Sequence, residues 1–400
     1  DTICFPAKLA HGHIQDLAKK GVDRIFMPIM NRMITENRNI YSEHACAVLK
    51  GYPMVLRNSD EPWERYGIPM DTPNFHWTDD KARRDSLVEF MGKTFGLPEK
   101  LVVEAMEEGD RAAREFESEL TRAGRELLDS LGEDEFAVVI AGRPYHSDEL
   151  INHNLSDYFS RAGIPTIPLD ALPGLHEVDL SPVRAELTVN FHVRMFAGAQ
   201  IVARHPKMEY VQIVSFGCGH DAVISDEITR LLNKGAGKSP LILKMDESDV
   251  SGPLNIRIKS FIETVKSQRQ KGLQFLDGEI KAYDVIYEKK KQKEKTILIP
   301  NVTWAFAQMA TAAIRKQGYR VEPMPIANEK AIKLGKKYVH NDMCFPAQIN
   351  IGEFLSVLDK GEYDPDQVVL GLAKSQCDCR LAHYAMMARQ ALDDAGYEQI

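Results

Sequence analysis

The stretch FAVVIAG, Phe136 to Gly142, is followed at once by RPYH, and how it is read decides the fold. It is short, apolar and closed by glycine, the pattern of a buried strand that ends in a polar loop. Three more such runs follow: IPTIPL (164–169), YVQIVSF (210–216) and PLILKM (240–245), each separated from the last by a helical stretch. Strands that alternate with helices make a parallel sheet of the doubly wound kind. Past the charged run EKKKQKEK (288–295) the pattern resumes with TILIP (296–300), a helix from Trp304 to Lys316, and YRVEPMP (319–325). Upstream, RIFMPIM (24–30) reads as a buried strand, and the region from Leu97 to Leu131, opened by Pro98, reads as one long helix. The fold expected is α/β, two doubly wound Rossmann-like units facing a cleft, with a helical insert. Its divisions are 1–78, an insert at 79–131, a central α/β domain at 132–290, and a last α/β unit at 291–400.

A repeat ties the two ends of the chain together. DTICFPAKLAHGH (1–13) and NDMCFPAQINIGE (341–353) share Cys4/Cys344, Phe5/Phe345, Pro6/Pro346, Ala7/Ala347 and Gly12/Gly352, and the match continues to Lys20/Lys360 and Gly21/Gly361. Proline fits the first turn of a helix, which puts both cysteines at helix N-termini, where the dipole favours the thiolate that ligates metal. More sulfur follows the strand after each copy, Cys46 in EHACAVLKGYP and Cys377 and Cys379 in SQCDCRLAHY. Cys218, in SFGCGHDAV, sits between glycines at a third strand-to-loop junction. Ligands of open α/β sheets collect at the carboxyl ends of strands, and every cysteine lies on such an edge. A lone cysteine is more often a small buried apolar residue, but the repetition favours a ligand set. Zinc sites show close Cys pairs or His partners, and only CDC is close here, so all-cysteine iron–sulfur ligation is preferred over zinc. His11 and His13, in HGH, are read as hydrogen-bonding around the cluster or capping the helix, with a metal pair as the alternative.

Composition narrows the function classes. In 400 residues with 44% hydrophobic content there is a sizeable core to bury. A formal charge of −8 argues against nucleic acid or an anionic membrane as the main partner. No apolar run is long enough to span a bilayer and no signal peptide is read, so the expected location is cytoplasmic. In a reducing compartment six cysteines in so long a chain are too sparse for a disulfide scaffold. The first copy of the repeat starts without the strand-helix-strand unit that precedes the second, so a segment of a longer polypeptide is expected.

CFPAKLAHGH, AGRPYH, SFGCGHD, YVHNDMCFPA and the Cys-Arg of CDCRLAHY resemble the cysteine-rich portion of acyl-CoA dehydratase activase-related proteins, the CoA-substrate-specific enzyme activase family. That portion is similar to the iron–sulfur subunits of 2-hydroxyacyl-CoA dehydratases. The resemblance places Cys4, Cys46, Cys218, Cys344 and Cys379 on the family's cysteine positions, whereas Cys377 stands where the family more often has glycine. It implies an electron-transfer role in anaerobic metabolism: activase ATPase modules, in the same longer chain, drive low-potential electrons toward an acyl-CoA or another acceptor. A [4Fe–4S] cluster is preferred, and a double-cubane cluster on six cysteines is the other form the superfamily offers.

Two further motifs bear on ligand binding. GAGKS (235–239) looks like a P-loop, but the pattern needs glycine at 232, where Leu232 stands, and the order runs helix, glycine, strand, so a helix C-cap and no ATP site is the reading. Arg143, Tyr145 and His146 are candidates to face a thioester, a CoA phosphate or the cluster. Equally, Arg143 pairs with a carboxylate and His146 caps the next helix. Two other function classes stay open, a reductive enzyme with its own acyl-CoA pocket and a metal-stabilised interaction module.

Overall fold

The computed structural model describes residues 4–34, 37, 40, 44–215, 217–248, 251–271, 288, 292–373 and 379–400. Cys377 and the lysines at 289–291 lie outside the described residues. The chain divides into two compact units, one of Asp1–Pro182, Leu187–Cys218 and Ser225–Lys281, the other of Val183–Glu186, Gly219–Ile224 and Ala282–Ile400.

The first unit opens with α1 (Phe5–Lys20), β1 (Ile25–Phe26), β2 (Ile29–Met30), α2 (Ala47–Ser59), α3 (Pro62–Tyr66), β3 (Met70–Asp71) and β4 (Asn74–Phe75). RIFMPIM is therefore two short strands, not one. Proline has no N–H to give a ladder, so at Pro28 the chain leaves its partner: β1 pairs with β3 and β2 with β4, both in parallel. Ile14, Ile25, Leu56 and Ile68 form the small core beneath. The insert is the helix pair α4 (Asp80–Phe95) and α5 (Glu99–Ser130), the second starting one residue after Pro98.

Next come β5 (Ala137–Ala141), α6 (Leu155–Arg161), β6 (Thr166–Pro168), α7 (Asn190–Arg204), β7 (Met208–Ser215), α8 (Gly219–Ala236), β8 (Leu241–Met245) and α9 (Ser251–Gln270). The four strands form one parallel sheet in the order β6-β5-β7-β8. Alternate residues serve opposite faces. Val138, Val211 and Ile213 pack with Leu155 and Phe159 of α6 and Leu254, Ile258 and Ile262 of α9. On the other face Ala137 and Ile167 meet Leu127 and Leu128 of α5, and Tyr210 Oη donates to Met195 O of α7 at 2.8 Å. Helices on both faces make this a doubly wound sheet.

The second unit contains β9 (Thr296–Ile299), α10 (Trp304–Lys316), β10 (Val321–Pro323), α11 (Glu329–Tyr338), α12 (Phe345–Leu358), β11 (Val368–Leu370) and α13 (Tyr384–Asp394). Its strands pair in parallel in the order β10-β9-β11. Both sheets thus start at an inner strand, step to one side, then cross to the other. α11 and α12 touch backbone to backbone: a Cβ on Gly335 would lie 1.8 Å from Gln348 O, and one on Gly352 1.9 Å from Ala331 O.

Candidate functional site

Each described cysteine caps the start of a helix. Cys4 precedes α1, Cys46 α2, Cys218 α8 and Cys344 α12, while Cys379 precedes the short 3-10 turn Arg380–His383. A helix start carries N–H groups with no partner in the helix and the positive end of its dipole, both suited to an anionic sulfur. Cys46 shows the geometry directly, its Sγ accepting the Leu49 N–H at 3.4 Å. Pro6 and Pro346 stand in the first turns after Cys4 and Cys344, where the missing N–H costs nothing.

Cys218 and Arg143 meet at the place where the sheet order reverses. β5 is the first strand, β6 flanks it on one side and β7 on the other, so the topological switch point lies between the carboxyl ends of β5 and β7. Arg143 leaves β5 and Cys218 follows β7, and Arg143 Nη2 donates to Cys218 Sγ at 3.3 Å. The RPYH loop is held by His146, which is buried, and whose pKa is pushed down to about 3 by burial and then by the Arg143 charge. It is neutral at physiological pH. Its Nδ1 accepts the Arg143 backbone N–H at 3.0 Å, so the ring proton is on Nε2 and is given to Ser215 Oγ, 3.1 Å away on β7. A Cβ on Gly142 would come within 2.5 Å of His146 Nδ1, so glycine is needed for the ring to sit there. Tyr145 is half-buried with its ring edge-on to His146.

A tyrosine meets the cysteine of the second copy of the repeat. Tyr384 Oη lies 2.6 Å from Cys344 Sγ. Burial, that hydrogen bond and the charges of Cys344 and Cys379 hold the Tyr384 phenol well above its usual range. Tyr52 is likewise raised, by burial and then by the charges of Cys4 and Asp60. Its hydroxyl lies 2.7 Å from His11 Nε2, and His11 Nδ1 lies 2.7 Å from Asp60 Oδ2. His13 is exposed and stands outside this chain of contacts. Next to Cys379, Arg380 lies so close over Gly219 that a Cβ there would be 1.8 Å from Nη1.

Residues 1–172 match the family model described as a CoA enzyme activase uncharacterised domain (DUF2229). The match supports the activase-related reading and covers Cys4, Cys46 and the RPYH loop. Cys218, Cys344 and Cys379 lie beyond it. The chain matches no curated protein and no solved structure.

Among the described residues no three His, Cys, Asp or Glu side chains form a group that could hold a metal ion. The five described cysteines are free thiols, each standing directly before a helix or a 3-10 turn. GAGKS closes α8: Gly237 has φ 68°, and Lys238 Nζ donates to the carbonyls of Val202, His205 and Met208 at 2.8, 2.7 and 2.7 Å. A cavity of about 380 Å³ lined by Arg83, Arg114 and Arg194 includes none of the cysteines. No described helix is long and apolar enough to cross a membrane.

Sequence reasoning did not single out Tyr52, Tyr384, Asp60 or Ser215. One signal was there to be read: a tyrosine stands six residues after Cys46 and five after Cys379.

Proposed function

We propose that the chain holds an iron–sulfur cluster, [4Fe–4S] in the preferred form, on thiolates of the set Cys4, Cys46, Cys218, Cys344 and Cys379, and passes low-potential electrons in an activase-linked, 2-hydroxyacyl-CoA dehydratase-like system. The observation that carries this is the placement of all five described cysteines at helix starts. When bound, the cluster supplies a one-electron carrier whose potential depends on the hydrogen bonds to its sulfurs. Arg143 serves Cys218 by placing a positive donor 3.3 Å from its sulfur, which neutralises ligand charge. Cys377 is the additional thiol that a double-cubane form would use. ATP hydrolysis is assigned to partner activase modules, because Lys238 is occupied by three carbonyls. The acceptor is an acyl-CoA or a partner protein.

Anaerobic reconstitution with iron and sulfide tests the reading. Brown protein, with broad charge-transfer absorbance that bleaches on strong reduction and with matched iron and sulfide content, is the expected result. Stoichiometric zinc and no iron after the same treatment overturns it.

A further inference from the structure

Along α5, neighbouring charges close on each other: Lys100 on Glu104 at 3.7 Å, Arg111 on Glu108 at 2.5 Å and Arg122 on Glu126 at 3.0 Å. Arg114 and Glu117 stand three residues apart on the same helix, on the wall of the cavity of about 380 Å³ in the first unit. Neither makes an ion pair or hydrogen bond among the described residues. The other charges on this wall are matched. Arg83, 7% exposed, forks onto Asp110 through Nη1 at 2.9 Å and Nη2 at 2.6 Å, and also reaches Asp80 at 3.4 Å. Arg194 meets Asp170 at 2.7 Å. The wall is thus left with one cation and one anion side by side. Asn37, buried on the same wall, donates through Nδ2 to Leu175 O at 2.9 Å, while its Oδ1 has no partner. A buried acceptor left that way costs stability unless something donates to it.

We propose that this cavity binds a free α-amino acid, its carboxylate on Arg114 and its ammonium on Glu117. Side chains three apart on a helix are about 5–6 Å apart at Cβ, so both charges must come from one small molecule that carries them close together. In an α-amino acid they sit on one carbon. A simple anion would be repelled by Glu117 and a simple cation by Arg114. The ammonium is also the kind of donor that Asn37 Oδ1 lacks. The volume falls within the range of small-ligand sites, about 300–1,000 Å³, and leaves room for the ligand's own side chain. None of the cysteines lines the cavity, so this site stands or falls apart from the cluster reading.

Calorimetric titration of the full chain with each of the standard L-amino acids tests this. At least one should bind at millimolar affinity or better, and its carboxamide and its N-acetyl derivative should not. Arg114→Gln and Glu117→Gln, both at exposed positions of the helix, should each weaken that binding by about tenfold or more, the loss of one charge-assisted hydrogen bond. Melting curves followed by circular dichroism check that both variants fold as the parent does. Absence of binding by every amino acid overturns the proposal. So does binding that survives amidation or acetylation of the ligand, or that neither substitution weakens.

Discussion

Glu353 gives the sharpest test of the second unit. It lies on α12, is 3% exposed, and its two oxygens each accept a backbone N–H at 3.1 Å, from Asn301 after β9 and Ala327 after β10. Burial outweighs those two bonds and pushes its pKa from 4.5 to about 7. The folded state therefore holds this proton more tightly than the unfolded chain does. Stability from the protonated form is full below about 4.5 and is lost as pH rises toward about 7. At roughly 1.4 kcal/mol per pH unit the loss is at most about 3 kcal/mol. Glu353→Gln removes the titration but keeps only one acceptor, so its NH2 faces one of the two backbone N–H groups and the variant should be less stable than the parent at pH 5, by about 1–3 kcal/mol. At pH 8, where the parent carries a buried charge, the difference between the two should have moved in the variant's favour by up to about 3 kcal/mol. Urea denaturation at the two pH values measures both. A difference that does not change with pH, or that moves in the parent's favour as pH rises, refutes the reasoning.

Other outcomes follow from the same contacts. Gly142→Ala should push His146 off Ser215 and lower the melting temperature, with a cost of about 2 kcal/mol or more, because the added Cβ meets the ring at 2.5 Å; an unchanged melting temperature contradicts the packing. Lys238→Met should destabilise by about 2–4 kcal/mol, since three carbonyls lose their donor. Calorimetric titration of the parent chain with Mg-ATP should show no binding, and micromolar affinity would mean that GAGKS had been misread. Cys4→Ala or Cys344→Ala should reduce iron content after reconstitution more than Cys377→Ala does, as measured by iron analysis of matched samples.

Much of the fold was legible because short apolar runs between glycines leave few alternatives. FAVVIAG became β5 and the helix from Trp304 to Lys316 matched end to end. The helix starts at Cys4 and Cys344 followed from proline chemistry alone. RIFMPIM failed because hydrophobic content says a strand is buried but not whether one partner can follow it past Pro28. The contacts around the cysteines were less legible. His11, Tyr52 and Asp60 meet over separations of 41 and 49 residues, and no local pattern encodes which side chains face each other across α1 and α2. Even the repeat conceals a difference: Gly352 is crowded by α11, whereas a Cβ on Gly12 would meet nothing within 4 Å.

The crossing of α11 and α12 sets a mechanical limit on the second unit. With only hydrogen atoms between the backbones at Gly335 and Gly352, neither helix can roll or slide past the other without collision. Glu353 then fastens the same block to the ends of β9 and β10. Cys344, at the head of α12, is thus mounted on a stiff frame that holds its sulfur 2.6 Å from Tyr384 Oη.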